Sequence, residues 1–276
     1  MRILYLILAK YEELWESDRK SQEDTWAKGD SKKIIRYLYG ATENNPSSSN
    51  SMFVDCLDEY DHILQKTILG LQKALKHLEF EFAVRTNVST FFNDKKLSNK
   101  IALQPKDIPI ALGYFEQHKK EYRCQLPNKL FISGSAIIIN RNAAKILAEM
   151  DWEIYKSIPD DIAISHYLST RGVTLKHLAR SNYHITHLPL EASIYRLKSS
   201  EFSHLTSKRM NLINQLGEES NFIGKFLIFC SMLRLEIATS FNNESFRRDF
   251  LVRPLMHIRS RLKCRIALRS NKIECL

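Results

Sequence analysis

Short, continuous apolar runs alternate over the first two hundred residues with longer stretches in which apolar residues recur every three or four positions. That alternation is what layered α/β domains require, because strands covered by helices on both faces lose the usual apolar–polar alternation. Ile3–Leu8 is the first such run, and residues 15–27 after it predict a helix. Residues 34–38 predict a second strand, and residues 41–50, with Pro46 and three consecutive serines, a surface loop. From Val54 onward Leu57, Tyr60, Leu64, Ile68, Leu71 and Leu75 lay one apolar stripe along an expected helix. Residues 80–84 and 131–139 predict further strands, the second running straight through Ser133-Gly134-Ser135. Residues 141–150 predict a helix capped by Asn140. Asp160–Thr170 predicts another, with carboxylates in its first turn and Gly172 beyond its end.

The expected architecture is therefore one α/β domain with a mixed, mostly parallel sheet over residues 1–200, followed by a helical, basic segment over residues 201–276. At 276 residues and 44% hydrophobic content the chain can bury one sizeable core, which excludes global disorder. Five scattered cysteines, an odd number without CxxC spacing, point to a reducing compartment. The first apolar stretch is short and lacks a small-residue cleavage site, so it reads as a buried strand. The best candidate span, residues 222–241, is broken by Lys225, Arg234 and Glu236 and reads as a core or interfacial helix. Of the net charge of +10, residues 246–276 hold nine Lys/Arg against Asp249 and Glu274, interleaved with apolar residues. Such a segment suits an anionic membrane surface. Nucleic-acid binding is the rival, but no recognised reading motif accompanies the charge.

Several chemistries are excluded or weakened. The chain has only eight glycines and no phosphate loop of P-loop or dinucleotide type. Its histidines form neither HExxH nor a zinc-spaced cluster, and His184 and His187 do not share a face in an extended segment. Ser133-Gly134-Ser135 is not a GxSxG elbow, so its small residues instead allow a ligand close to the backbone. The pair Asp160-Asp161 reads either as a general base or as the acidic first turn of a helix.

Residues 53–67, FVDCLDEYDHILQKT, resemble the D-x-Y-x-N-L-x-x-K-T helix of the β1,3-galactosyltransferase and fringe group, glycosyltransferase family 31. Phe82-Ala83-Val84-Arg85-Thr86-Asn87 resembles the strand that leads to that family's metal-binding aspartates. Phe131-Ile132-Ser133-Gly134-Ser135-Ala136 is similar to Y-C-S-G-G-G, and Pro159-Asp160-Asp161-Ile162 to the acidic E/D-D-V motif. Thr25-Trp26 closes a segment similar to R-x-T-W. The resemblance covers roughly residues 1–180. It implies a GT-A-like, Rossmann-like fold, a nucleotide-sugar donor with UDP-sugar first, a glycan or glycolipid acceptor, and inversion with Asp161, or alternatively Asp160, as general base. The donor is expected at the carboxyl ends of the first strands, against Leu8, Tyr11, Lys66, Arg85, Asn87, Ser89 and Ser133-Gly134-Ser135.

At one place the sequence departs from the family. Asn87-Val88-Ser89 stands where the family carries its D-D-D metal motif, and an amide with a hydroxyl holds Mn²⁺ or Mg²⁺ poorly. Two alternatives follow: Arg85, Arg196 and Lys198 replace the metal on the departing diphosphate, or the domain binds nucleotide-sugars or glycans without turnover. The expected location is the cytoplasm, with residues 246–276 offering attachment to the inner face of the cytoplasmic membrane.

Overall fold

A computed structural model describes residues 1–41, 49–117, 130–182, 192–197, 205–219 and 221–240. Its centre is a seven-stranded sheet of order β10-β6-β9-β4-β1-β2-β3. These strands are β1 (Ile3–Leu8), β2 (Lys33–Gly40), β3 (Ser51–Val54), β4 (Phe82–Asn87), β6 (Ile110–Gly113), β9 (Ala136–Asn140) and β10 (Thr174–His177). Every pairing is parallel except those of β9, which runs antiparallel between β4 and β6. The mixed, mostly parallel α/β sheet expected from the sequence is what the chain forms.

β1 shows why the apolar runs are continuous. All six of its residues are buried, and successive side chains leave on opposite faces. Leu4, Leu6 and Leu8 join one core cluster with α2 (Ile63–His77), α4 (Arg141–Ala148) and α5 (Asp160–Thr170). Ile3, Tyr5 and Ile7 join a second with Trp26, with Leu97 of α3 (Asp94–Ala102), and with Met210, Ile213 and Leu216 of α6 (Thr206–Glu218). Each large apolar side chain so buried contributes about 1.5–3 kcal/mol. The helix beyond residue 200 thus closes the second layer of the same core.

Local signals explain several boundaries. The Asn140 side chain accepts the Ala143 amide at 3.0 Å and caps α4 as predicted. α5 begins at Asp160 and stops where Gly172 takes φ +77°, a left-handed conformation that favours glycine. The first helix, α1 (Glu13–Asp24), starts and stops somewhat earlier than the sequence predicts.

Two expectations are corrected. The helix does not start near Val54: residues 51–54 pair with β2, residues 60–62 form a single 3-10 turn, and α2 begins at Ile63. Leu57 and Tyr60, counted in the apolar stripe, are exposed. Asp58, in the loop, reaches the α2 residue Lys66 in a buried ion pair. The strand at residues 131–139 is two strands. β8 (Leu130–Ile132) pairs with β7 (Phe115–Gln117), the chain turns at Ser133–Ser135, and β9 enters the central sheet. The turn is closed by Ala136 N–H donating to Ser133 C=O at 3.2 Å.

A small three-stranded sheet joins β11 (Ser181–Asn182), β12 (Ile194–Arg196) and β5 (Thr90–Phe92). The last described helix is α7 (Phe222–Ser240). Among the described residues no helix is long and apolar enough to cross a membrane. Cys56 and Cys230 are free thiols. The expectations for residues 42–48, Cys124, His184, His187, Lys198 and residues 246–276 concern positions outside the described residues.

Candidate functional site

The carboxyl ends of β1 and β4 lie side by side, with Leu8 in register with Asn87. Because β9 is antiparallel to β4 and starts opposite Thr86, the Ser133–Ser135 turn is delivered to that same end of the sheet. Open α/β sheets bind ligands at this end. The N-terminus of α5 brings Asp160 and Asp161 onto the turn from the other side.

Three segments far apart in sequence tie this corner together. Arg85 leaves β4 and donates to Gly134 C=O at 2.6 Å, while its other terminal nitrogen pairs with Asp160. Gly134 N–H in turn donates to Asp161 Oδ2 at 3.0 Å. The glycine is required by proximity: a Cβ there would stand 2.8 Å from Arg85 Nη1 and 3.3 Å from Asp161 Oδ2. Asp161 Oδ1 accepts the Ile162 amide at 3.0 Å. Burial, then the neighbouring Asp160 charge, pushes the Asp161 carboxyl up to about 6; the Gly134 amide and Arg85 act in the opposite direction. A carboxyl held there is half-ionised at about pH 6 and mostly ionised at neutral pH, so it can accept a proton in a reaction.

A second arginine braces the turn from behind. Arg180 donates to Ser133 Oγ and Ser135 Oγ, both at 2.7 Å, and to Glu116 Oε1 at 2.8 Å. Its guanidinium lies 4.5 Å from the Tyr114 ring centroid. Burial pulls its pKa down, Arg196 adds to that, and Glu116 counters it. Sequence reasoning passed over both Arg180 and Glu116. Neither sits in a motif, and nothing local marks a lone arginine as the partner of two serines more than forty positions away.

The other expected donor residues divide by their surroundings. Asn87 Oδ1 accepts from Ser89 N–H at 3.2 Å, Ser89 Oγ at 2.8 Å and Thr90 Oγ1 at 3.0 Å. A carboxamide oxygen so engaged, with a serine beside it, does not fit the oxygen cage that Mn²⁺ or Mg²⁺ requires. Lys66 is 3% exposed, pairs with Asp58 and donates to Ala9 C=O at 3.1 Å, so it fastens the segment leaving β1 rather than facing open space. Leu8 is buried, whereas Tyr11 is 49% exposed just beyond it. The Arg85 and Arg180 side chains are buried against carboxylates, but the Arg196 side chain remains 44% exposed, 3.9 Å from Glu116. Trp26 belongs to the core and Tyr60 lies at the surface.

No protein-family model and no curated protein matches this sequence. Solved structures are similar at low identity, among them the following three. A glycosyltransferase involved in glycosylation of the major capsid of PBCV-1 is 12% identical, over 77% of this chain and all of the other, with a TM-score of 0.46. The galactosyltransferase LgtC in complex with donor and acceptor sugar analogues is 14% identical, over 80% of this chain and 97% of the other, with a TM-score of 0.48. An active-site mutant of LgtC is 14% identical, over 82% and 100% respectively, with a TM-score of 0.47. Similarity at this level assigns no family, and the chemistry of the corner must be read from its own residues.

Proposed function

We propose that the chain is an inverting glycosyltransferase, a hexosyltransferase with a GT-A-like domain. It moves a sugar from a nucleoside-diphosphate donor, UDP-sugar first, to a hydroxyl of a glycan or glycolipid acceptor of the surface-polysaccharide or lipopolysaccharide type. The observation that carries this reading is Asp161, a carboxyl raised to about 6 at the carboxyl end of a largely parallel sheet. The acceptor oxygen attacks the anomeric carbon, its proton passes to Asp161, and the bond from that carbon to the diphosphate oxygen breaks, leaving the charge on the nucleoside diphosphate. Asp160, the alternative base, is already paired with Arg85 and serves to hold the corner. Because Asn87 does not suit a divalent ion, the leaving charge falls to cationic side chains, of which Arg196 is an exposed candidate among the described residues. The setting is cytoplasmic.

The test is binding and slow hydrolysis of UDP-, GDP-, CMP- and dTDP-sugars, each with EDTA and with added Mn²⁺. Turnover indifferent to EDTA is expected. Absence of binding to every donor in both conditions would refute the transferase.

A second reading, a nucleotide-sugar or glycan-binding module without turnover, is favoured by one observation: both terminal nitrogens of Arg85 and the Oδ1 of Asn87 are engaged with protein groups. Asp161→Asn separates the two, since a transferase loses turnover while keeping donor binding, and a binding module has no turnover to lose.

A further inference from the structure

Two guanidiniums of this protein share one carboxylate. Glu116 Oε1 accepts from Arg180 Nη2 at 2.8 Å and lies 3.9 Å from Arg196 Nη1. The three residues come from separate elements: Glu116 from β7, Arg180 from the position before β11, and Arg196 from the end of β12. Because β12 runs antiparallel to β5, Arg196 is in register with Thr90, and Leu197 N–H donates to Ser89 C=O at 3.0 Å. Arg196 therefore stands beside the Asn87-Val88-Ser89 segment, at the carboxyl end of β4. The cluster also adjoins Asp161: after burial and the Asp160 charge, Glu116 is a further influence pushing that carboxyl up.

The way Glu116 is held marks it as a place-holder. The Arg180 side chain is 3% exposed, whereas the carboxylate that touches it is 33% exposed. Arg180 Nη1 is occupied by Ser133 Oγ and Ser135 Oγ, which fixes that half of the guanidinium. The other edge, Nε with Nη2, suits two oxygens of a carboxylate or phosphate at once. Glu116 supplies one oxygen there, and the buried Nε has no hydrogen-bond partner. Two cations against one carboxylate leave net positive charge at the cluster. A diphosphate, with several anionic oxygens, would satisfy that charge and both edge nitrogens more fully than Glu116 does.

We propose that Arg180 and Arg196 form the diphosphate subsite of this domain, and that Glu116 occupies it in the free protein and swings outward when a nucleoside diphosphate arrives. The inference rests on the nucleotide-sugar reading, to which it adds the groups that take the diphosphate. The experiment is titration calorimetry of the full-length chain, in EDTA, with UDP, inorganic pyrophosphate and uridine. Wild type is expected to bind UDP and pyrophosphate, and uridine much more weakly. Arg196→Gln should weaken both phosphate ligands at least about tenfold, through loss of a charge-assisted contact. Glu116→Gln should tighten both by about threefold, because the competing charge is gone while the amide oxygen still accepts from Arg180. Glu79→Gln, whose side chain is 81% exposed before the amino end of β4, removes an equal charge far from the cluster and should leave binding unchanged. Arg196 and Glu79 are exposed, so both variants should melt with wild type, and the Arg196 result decides even where Glu116→Gln unfolds. Equal binding by Arg196→Gln, unchanged or weaker binding by folded Glu116→Gln, equal tightening by Glu79→Gln, or no binding by wild type overturns the proposal. The expected shifts without sugar release from any donor would uphold the subsite and refute the transferase. Sugar release indifferent to both substitutions would do the reverse.

Discussion

Raising the pH from about 4.5 to about 7.5 should cost this protein about 2 kcal/mol of stability through Asp161 alone. The carboxyl is raised from 3.8 to about 6 in the fold. The native state therefore holds the proton more tightly than the unfolded chain, and stability is lost as pH rises through that window. A shift of about two units is worth about 3 kcal/mol once both states are ionised. About 1 kcal/mol of that is already incurred at pH 4.5, which leaves about 2 kcal/mol within the range. Glu81, lowered to about 2 by Lys106, contributes with the opposite sign, but its stabilisation is lost only as pH falls below about 4.5. Asp161→Asn supplies the reference. It loses one of the two acceptors facing the Gly134 and Ile162 amides, a pH-independent offset of about 1–3 kcal/mol, and it removes the titration. Urea unfolding of both proteins at intervals across the range should therefore give curves that diverge from parallel by about 2 kcal/mol. Parallel curves would mean that Asp161 is not held in its acid form by this corner, and the general-base assignment would lose its physical support.

Two further outcomes follow from the same geometry. Lys66→Met strands Asp58, whose side chain is 6% exposed and whose Oδ2 is already without a partner, and should destabilise the fold by about 3–5 kcal/mol in chemical denaturation; a change confined to donor KM would instead make Lys66 a donor ligand. Gly134→Ala pushes a methyl against Arg85 and Asp161 and should cost about 1–3 kcal/mol of stability together with most donor turnover, read by thermal melting and by sugar release.

Much of the fold was legible because its signals are local. β1 reads as a buried strand since both of its faces are covered, and α5 is bounded by Pro159, two acidic residues and Gly172. The misreadings occurred where one pattern serves two structures. Leu57 and Tyr60 fall on a helical period but occupy a loop and a 3-10 turn, because Asp58 is drawn to Lys66 and residues 51–54 to β2. Ser133-Gly134-Ser135, between apolar triplets, fits an uninterrupted strand as well as a turn, and only the different partners of β8 and β9 decide. In the candidate site, Asp160, Asp161, Arg85 and the turn were singled out from sequence and lie in contact. Arg180 and Glu116 escaped because their meaning is entirely long-range.

The placement of β9 also bears on how the chain is made. β4 and β6, between which it inserts, both precede it, so a nascent chain that has not yet released residues 136–140 carries two apolar strands with open facing edges. Open edges of that kind recruit other chains. The strand that brings the Ser133–Ser135 turn to Asp161 is thus also the seal of the sheet, and fragments ending before it should aggregate where the longer chain does not.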